Sequence, residues 1–414
     1  MLDKYYEDQT RLRQIRRGPL GPHFDDFAAE LCRQGFKRMT GKHHITICAK
    51  FSTFVQLEGV SDVARIDEAL VQRFLDDLAI EGRFRQADCA VRLFLEHLRS
   101  KGAVATATPV QKQAPRNPLL EAYDVNLRDV KGLKVSTRDG YIRGAARFLQ
   151  WVASENLRLR KLSRANVLSF ISASLASRNS STWLSQVASQ TRCFLRFLGE
   201  EGHSPVGLDR AVPSIARWRL DKVPRHLPWE KVRQLIDSVD TSHAFGLRDK
   251  AVLVLLAMLG LRNSEVRHLR LADVRWRSGE IHLPKTKSSK ARVLPMSHEV
   301  GAALADYVLH GRPVVDVPEV FVTHRAPYRP FSSASGVGAL IAQQLRRTGI
   351  SAPCRGAHML RHSIATRLVN EGVPIKTIAD VLGHKSIDTT AIYTKVDVKR
   401  LSLAALPFPT GGVR

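Results

Sequence analysis

The sequence predicts a mainly α-helical protein of the α+β class: two small helical N-terminal modules, then a larger helical domain that carries one small β-sheet. Three observations predict it. Helical apolar spacing fills two successive stretches that are copies of each other. Two polar, proline-bearing breaks divide the chain into three blocks. One strand–turn–strand pattern stands among the helical patterns of the last block.

The first block runs from about Gly21 to Val104, within a module taken as residues 1–104. The stretch 105–117 (ATATPVQKQAPRN), with Pro109 and Pro115, reads as a linker. The second block covers 118–202. Gly35-Phe36-Lys37 with Thr40 recurs 97 positions later as Gly132-Leu133-Lys134 with Thr137. At the same offset of 97, Ala49-Lys50-Phe51-x-x-Phe54-Val55 recurs as Ala146-Arg147-Phe148-x-x-Trp151-Val152. Near the end, Phe94-Leu95-x-x-Leu98 recurs at an offset of 100 as Phe194-Leu195-x-x-Leu198. Same order and near-constant offset favour duplication, and two copies are too few for a solenoid. Each copy reads as a bundle of about four amphipathic helices, with its aromatics in the core.

A second break, 203–228, contains Pro205, Pro213, Pro224 and Pro228 and the basic residues Arg210, Arg217, Arg219, Lys222 and Arg225. The third block, 229–407, opens with a helix after Leu227, for which Pro228 suits the first position. Residues 248–260 form an apolar helix too short to span a bilayer. Residues 281–296 read as strand, basic turn and strand, and helices follow at 333–349, 357–371, 374–383 and 386–393. The tail is 408–414.

Charge narrows the function. The 64 Lys and Arg residues outnumber 39 Asp and Glu, a formal net charge of +25. Such a chain attracts polyanions, and nucleic acid leads because neutralised phosphates release counterions. A membrane surface ranks second, without an apolar run of spanning length. Residues 1–20 mix acidic and basic side chains and show no secretory signal, so a cytoplasmic, nucleoid-associated location is expected. The five cysteines (Cys32, Cys48, Cys89, Cys193, Cys354) lack CxxC spacing, which argues against a disulfide frame or zinc ribbon.

The chemistry concentrates in the third block. Gly260-Leu261-Arg262-Asn263-Ser264-Glu265 places Arg262 where an apolar helix stops and another starts. Lys287 sits in the basic turn with Lys285, Lys290 and Arg292, a tip that can enter a DNA groove or keep a sheet edge soluble. In His358-Met359-Leu360-Arg361-His362, positions 358, 361 and 362 share a helical face, so His and Arg can donate to one phosphate. The His358/His362 spacing also fits a metal pair, but the acidic neighbour of HExxH is missing. Leu382-Gly383-His384 precedes Tyr393 by nine residues from His384. Val373–Tyr393 also has the look of a helix-turn-helix, which keeps a base-reading regulator in play.

In this order and spacing, the residues resemble the tyrosine recombinase (phage integrase) family over about 229–400. The matching set is Arg262, Lys287, His358, Arg361, His384 and Tyr393. The resemblance implies a tyrosine-recombinase catalytic domain at 229–407 and a core-binding domain at 118–202. It implies cleavage and rejoining of duplex DNA through a 3′-phosphotyrosine on Tyr393, for integration, excision or transposition of a mobile element. Arg262 and Arg361 would neutralise the phosphoryl oxygens, His384 would add a donor, Lys287 would protonate the 5′ oxygen, and His358 would assist proton transfer with Tyr393. No cofactor and no metal is implied, since the cations are side chains. Arg217, Arg219, Lys222, Arg225, Lys285, Lys290 and Arg292 are expected to contact DNA, while Glu265 and His362 support the site from behind. The implied partners are duplex DNA with inverted-repeat sites, a homotetramer on that DNA, and accessory recombinases. A type IB topoisomerase and a non-cleaving DNA-binding accessory subunit or regulator remain the alternatives. Residues 1–104 are expected to be an extra DNA-binding or protomer-contact module.

Overall fold

The computed structural model describes residues 1–60, 62–80, 84–104, 117–177, 181–214, 224–285 and 290–396. Met1–Thr108 and Lys222–Arg414 form one compact unit, and Pro109–Asp221 forms another. No helix among the described residues is long and apolar enough to cross a membrane.

The duplication read from the sequence appears as two four-helix sets. The first unit begins with a short helix α1 (Gln9–Ile15), followed by α2 (Phe24–Arg33), α3 (Arg38–Leu57), α4 (Glu68–Ile80) and α5 (Phe84–Ser100). The second unit repeats the order with α6 (Pro118–Asp129), α7 (Val135–Ser154), α8 (Arg164–Ser177) and α9 (Ser181–Glu200). The repeated aromatics are core in both: Phe51 and Phe94 in one set, Phe148 and Phe194 in the other, all fully buried. Burying such rings is a large apolar gain for small bundles.

The remainder of the first unit holds α10 (Trp229–Asp237), α11 (Ala244–Met258), α12 (Asn263–Arg267), a three-stranded antiparallel sheet, and α13 (His298–Asp306), α14 (Ala334–Thr348), α15 (Ala357–Asn370) and α16 (Ile375–Leu382). Pro228 caps α10 rather than opening it. Beyond Arg248-Asp249-Lys250, helix α11 is apolar on every side and runs through the core: Ala251 to Ala257 are all fully buried. The sheet is β1 (Val274–Arg275), β2 (Glu280–Leu283) and β3 (Arg292–Pro295), in the order β1-β2-β3. Strands β2 and β3 pair antiparallel from Glu280↔Pro295 to Leu283↔Arg292, so the two strands expected on either side of the basic segment are neighbours in the sheet.

Two expectations for the C-terminal segment are corrected. The helix expected at 386–393 is a pair of 3₁₀ turns, Ile387–Thr389 and Ala391–Val396. Its β-branched Ile387, Thr389, Thr390 and Ile392 are poor helix formers. Val373–Tyr393 is therefore no helix-turn-helix, since α16 is its one α-helix.

The first helical set and the third block also meet within their shared unit. The Tyr328 backbone N–H donates to the Gln34 carbonyl at 3.2 Å. Gly35 packs against the Tyr328 ring so closely that a Cβ there would overlap it.

Candidate active site

The site gathers four loop and helix segments around the end of α16. Helix α16 stops at Gly383, whose φ of +65° is the left-handed conformation that favours glycine. Stopping there leaves the last carbonyls of the helix without intrahelical partners. Two arginines use them. Arg361, on α15 and 2% exposed, donates through Nη2 to the Leu382 carbonyl at 2.6 Å and through Nη1 to the Gly260 carbonyl at 2.6 Å. Arg262 donates to the Leu382 and Gly383 carbonyls at 3.4 and 3.3 Å. The negative end of α16 thus seats both guanidinium groups.

Gly260 is fixed for a second reason. It follows the end of α11 with φ +60°, and a Cβ there would lie 2.6 Å from Leu382 Cδ2. Only glycine lets the α11–α12 junction approach α16 this closely.

Glu265 sits behind the arginines. Its carboxylate accepts from Arg262 Nη1 at 3.1 Å and from the Arg262 backbone N–H at 2.8 Å. It also accepts both arms of Arg292, at 3.0 and 2.9 Å. Burial alone would raise the Glu265 pKa, but the Arg292 hydrogen bond and charge, then Arg262, hold it at about 2. Arg292 therefore stands elsewhere than expected of a DNA contact: its side chain is 7% exposed and its fork is occupied by Glu265.

His384, 6% exposed, follows Gly383, and its Nδ1 lies 2.6 Å from Thr390 Oγ1. Burial, then the charges of Arg361, Arg262 and Arg292, lower its pKa to about 3, so the ring is neutral. Tyr393 is 1% exposed, with its hydroxyl 2.7 Å from His362 Nδ1. Burial pushes the tyrosine up to about 12 against the opposing charges of Arg361 and Arg262. Burial, then Arg361 and Arg262, also lower the His358 pKa. Arg361 is lowered to about 10 by burial and then Arg262, and it stays charged at neutral pH.

The structure thus brings together Arg262, Arg361, His384, Tyr393, Glu265 and His362, with the His358 ring 6.2 Å from that of His362. Among the described residues no hydrogen bond joins His358 to Tyr393; the partner is His362. Lys287 lies outside the described residues, as do Arg217, Arg219 and Lys222. Arg225, Lys285 and Lys290 are exposed. Thr390 was missed in the sequence, where nothing but its place between His384 and Tyr393 marks it.

Residues 225–400 match the phage integrase family. An integrase/recombinase of Sinorhizobium fredii, y4rF by name, is 36% identical over 99% of this chain and 96% of its own length. The tyrosine recombinase XerD of Listeria monocytogenes is 28% identical over 69% of this chain and 96% of its own. Among solved structures, the XerH site-specific recombinase bound to palindromic difH substrate superposes with a TM-score of 0.54, covering 69% of this chain and 82% of that one at 19% identity. A lambda integrase dimer bound to a COC′ core site gives 0.52, covering 67% and 94% at 16% identity. The two structures share the fold; the sequence relatives carry the kinship, and the chain belongs to the phage integrase family of tyrosine recombinases.

Proposed function

We propose that the chain is a site-specific recombinase that cleaves and rejoins duplex DNA, with Tyr393 as the nucleophile, in the movement of a mobile element. The observation that carries this reading is the convergence of Arg262, Arg361, His384 and Tyr393 on the end of α16.

Attack of Tyr393 on a backbone phosphate would form a 3′-phosphotyrosine and release a 5′-hydroxyl. A phenolate both attacks and leaves, so the step reverses without an external energy source. The two guanidinium groups are held in place by carbonyls and by Glu265, and each keeps further N–H donors that would face the phosphoryl oxygens and stabilise charge that grows on them. A Thr390 hydroxyl donating to His384 Nδ1 would fix that ring's proton on Nε2, a further donor to the phosphate. His358 stands with Arg361 as a donor to the same group. Lys287, in the segment between β2 and β3, would be the acid for the 5′ oxygen, with Lys285 and Lys290 beside it in the sequence as DNA contacts. Arg225 and the basic residues of 203–228 would follow the phosphate backbone, and the chain would act as a tetramer on inverted-repeat sites. Residues 1–104 would add a DNA-binding or protomer-contact module.

The test is strand exchange between two differently labelled duplexes that carry the ends of the element encoding the chain. Hybrid products are expected. Relaxation of supercoiled DNA with no hybrid product would mark a topoisomerase instead, and tight binding with neither would mark an accessory protein.

A further inference from the structure

We infer that His362, rather than His358, accepts the phenolic proton of Tyr393 as this tyrosine attacks phosphorus. The inference rests on the recombinase reading above and names a residue within that same site. Its first support is geometric. His362 Nδ1 lies 2.7 Å from Tyr393 Oη, with the two ring centroids 5.6 Å apart. A phenol at neutral pH carries its proton, so it donates and the imidazole nitrogen accepts. The imidazole proton then sits on Nε2.

The second support is burial. Tyr393 is 1% exposed, so solvent has little access to its hydroxyl. With its pKa at about 12, the unassisted phenolate would be a fraction of about 10⁻⁵ at pH 7. A reacting tyrosine in such a place needs a base within hydrogen-bond reach, and His362 occupies that position.

His362 is neutral and able to accept. Burial, then the charges of His358, Arg361 and His226, lower its pKa to about 4. The titratable and charged groups facing it are His358 and Arg361 from α15, His226 from the segment before α10, His384 after α16, and Tyr393; none is a carboxylate. The gap between about 4 and about 12 keeps the tyrosine protonated without DNA. A bound phosphate adds negative charge that raises the imidazole, and bond formation to phosphorus makes the phenol strongly acidic. Proton transfer then accompanies attack.

The step balances. The Oη–P bond forms, the Oη–H bond breaks, and the proton moves to His362 Nδ1. The P–O5′ bond breaks with its electron pair on the 5′ oxygen, which takes a proton from the acid assigned to Lys287. Religation runs in reverse and returns the proton from His362 to Tyr393.

The test uses the full-length chain under single-turnover conditions. The probe is a duplex carrying the element's ends, with sulfur bridging at the 5′ position of the scissile phosphate. A thiolate leaves without an acid, so the rate of adduct formation reports activation of the nucleophile. His362→Ala is expected to slow the adduct roughly 10²–10⁴-fold. His362→Asn can accept a hydrogen bond but not a proton, and it should slow the reaction comparably with an unchanged Tm and DNA affinity. Both variants should gain about tenfold in rate per pH unit, as hydroxide replaces the base, whereas wild type levels off above an acid limb. His358→Ala should keep the wild-type shape of the profile. Wild-type rate and profile in His362→Asn, or a hydroxide-dependent profile in His358→Ala instead, would overturn the assignment while leaving the recombinase reading intact. Absence of any adduct with wild type would overturn that reading, and this assignment with it.

Discussion

Glu265 and Arg292 form a buried two-point ion pair, with Oε1 and Oε2 each accepting from one guanidinium arm at 3.0 and 2.9 Å. The same carboxylate holds Arg262 by side chain and backbone. Strand β3 therefore braces the arginine at the start of α12 through Glu265. Breaking one side of such a pair leaves a buried charge unmatched and costs about 3–5 kcal/mol. Arg292→Ala and Glu265→Gln should each destabilise the chain by about that amount in denaturant titrations. In whatever fraction stays folded, DNA cleavage should fall more than DNA binding.

Arg361 spends one arm on each of two carbonyls, Gly260 and Leu382. A lysine has one nitrogen and cannot reproduce the fork. Arg361→Lys should reduce single-turnover cleavage roughly 10²–10³-fold, the scale of losing one preorganised donor to an oxyanion. The comparison that checks it is the cleavage rate at saturating DNA, which separates loss of chemistry from loss of affinity.

Gly260→Ala places a Cβ 2.6 Å from Leu382 Cδ2 at a φ of +60°. The backbone strain alone costs on the order of 1–3 kcal/mol. Calorimetry should show a lower Tm, and cleavage should weaken, because the Gly260 carbonyl holds Arg361. An undiminished Tm would mean that the α11–α12 junction is looser than described.

Acid should destabilise the chain in two stages. His384 and His362 are held neutral, at about 3 and about 4, below the ordinary histidine value of 6.5. The unfolded chain takes up protons first, so stability declines as pH falls from about 6.5 toward 3. Glu265, at about 2 against an ordinary 4.5, adds stability that is full above 4.5 and lost as pH falls toward 2, on the order of 3 kcal/mol. Urea midpoints between pH 8 and 3 check this; His384→Asn should flatten the upper part of the curve.

Much of this site was legible in the sequence because its parts are local signals: a glycine stop before Arg262, His and Arg one turn apart, and a Leu-Gly-His stop before Tyr393. The duplicated helices were legible because aromatics repeat at near-constant offset. Other features depend on chain packing that spacing does not encode. Arg292 lies beside a basic turn, and from composition it reads as a DNA contact; only the pairing of β2 with β3 and the position of α12 deliver it to Glu265. His358 and His362 share a helical face, and which of them meets Tyr393 depends on the 3₁₀ path of Ala391–Val396. That path was expected to be α-helical, because apolar spacing alone does not register four β-branched residues.

The most direct measurement of the central claim is covalent trapping. The chain, with EDTA and no nucleotide, is mixed with a nicked duplex carrying the element's ends, and SDS-resistant protein–DNA adduct is quantified for wild type and Tyr393→Phe. An adduct with wild type that maps to Tyr393 and is absent from Tyr393→Phe is the predicted result. An equal adduct with Tyr393→Phe, or tight DNA binding by wild type without any adduct, would contradict the assignment of Tyr393 as the nucleophile.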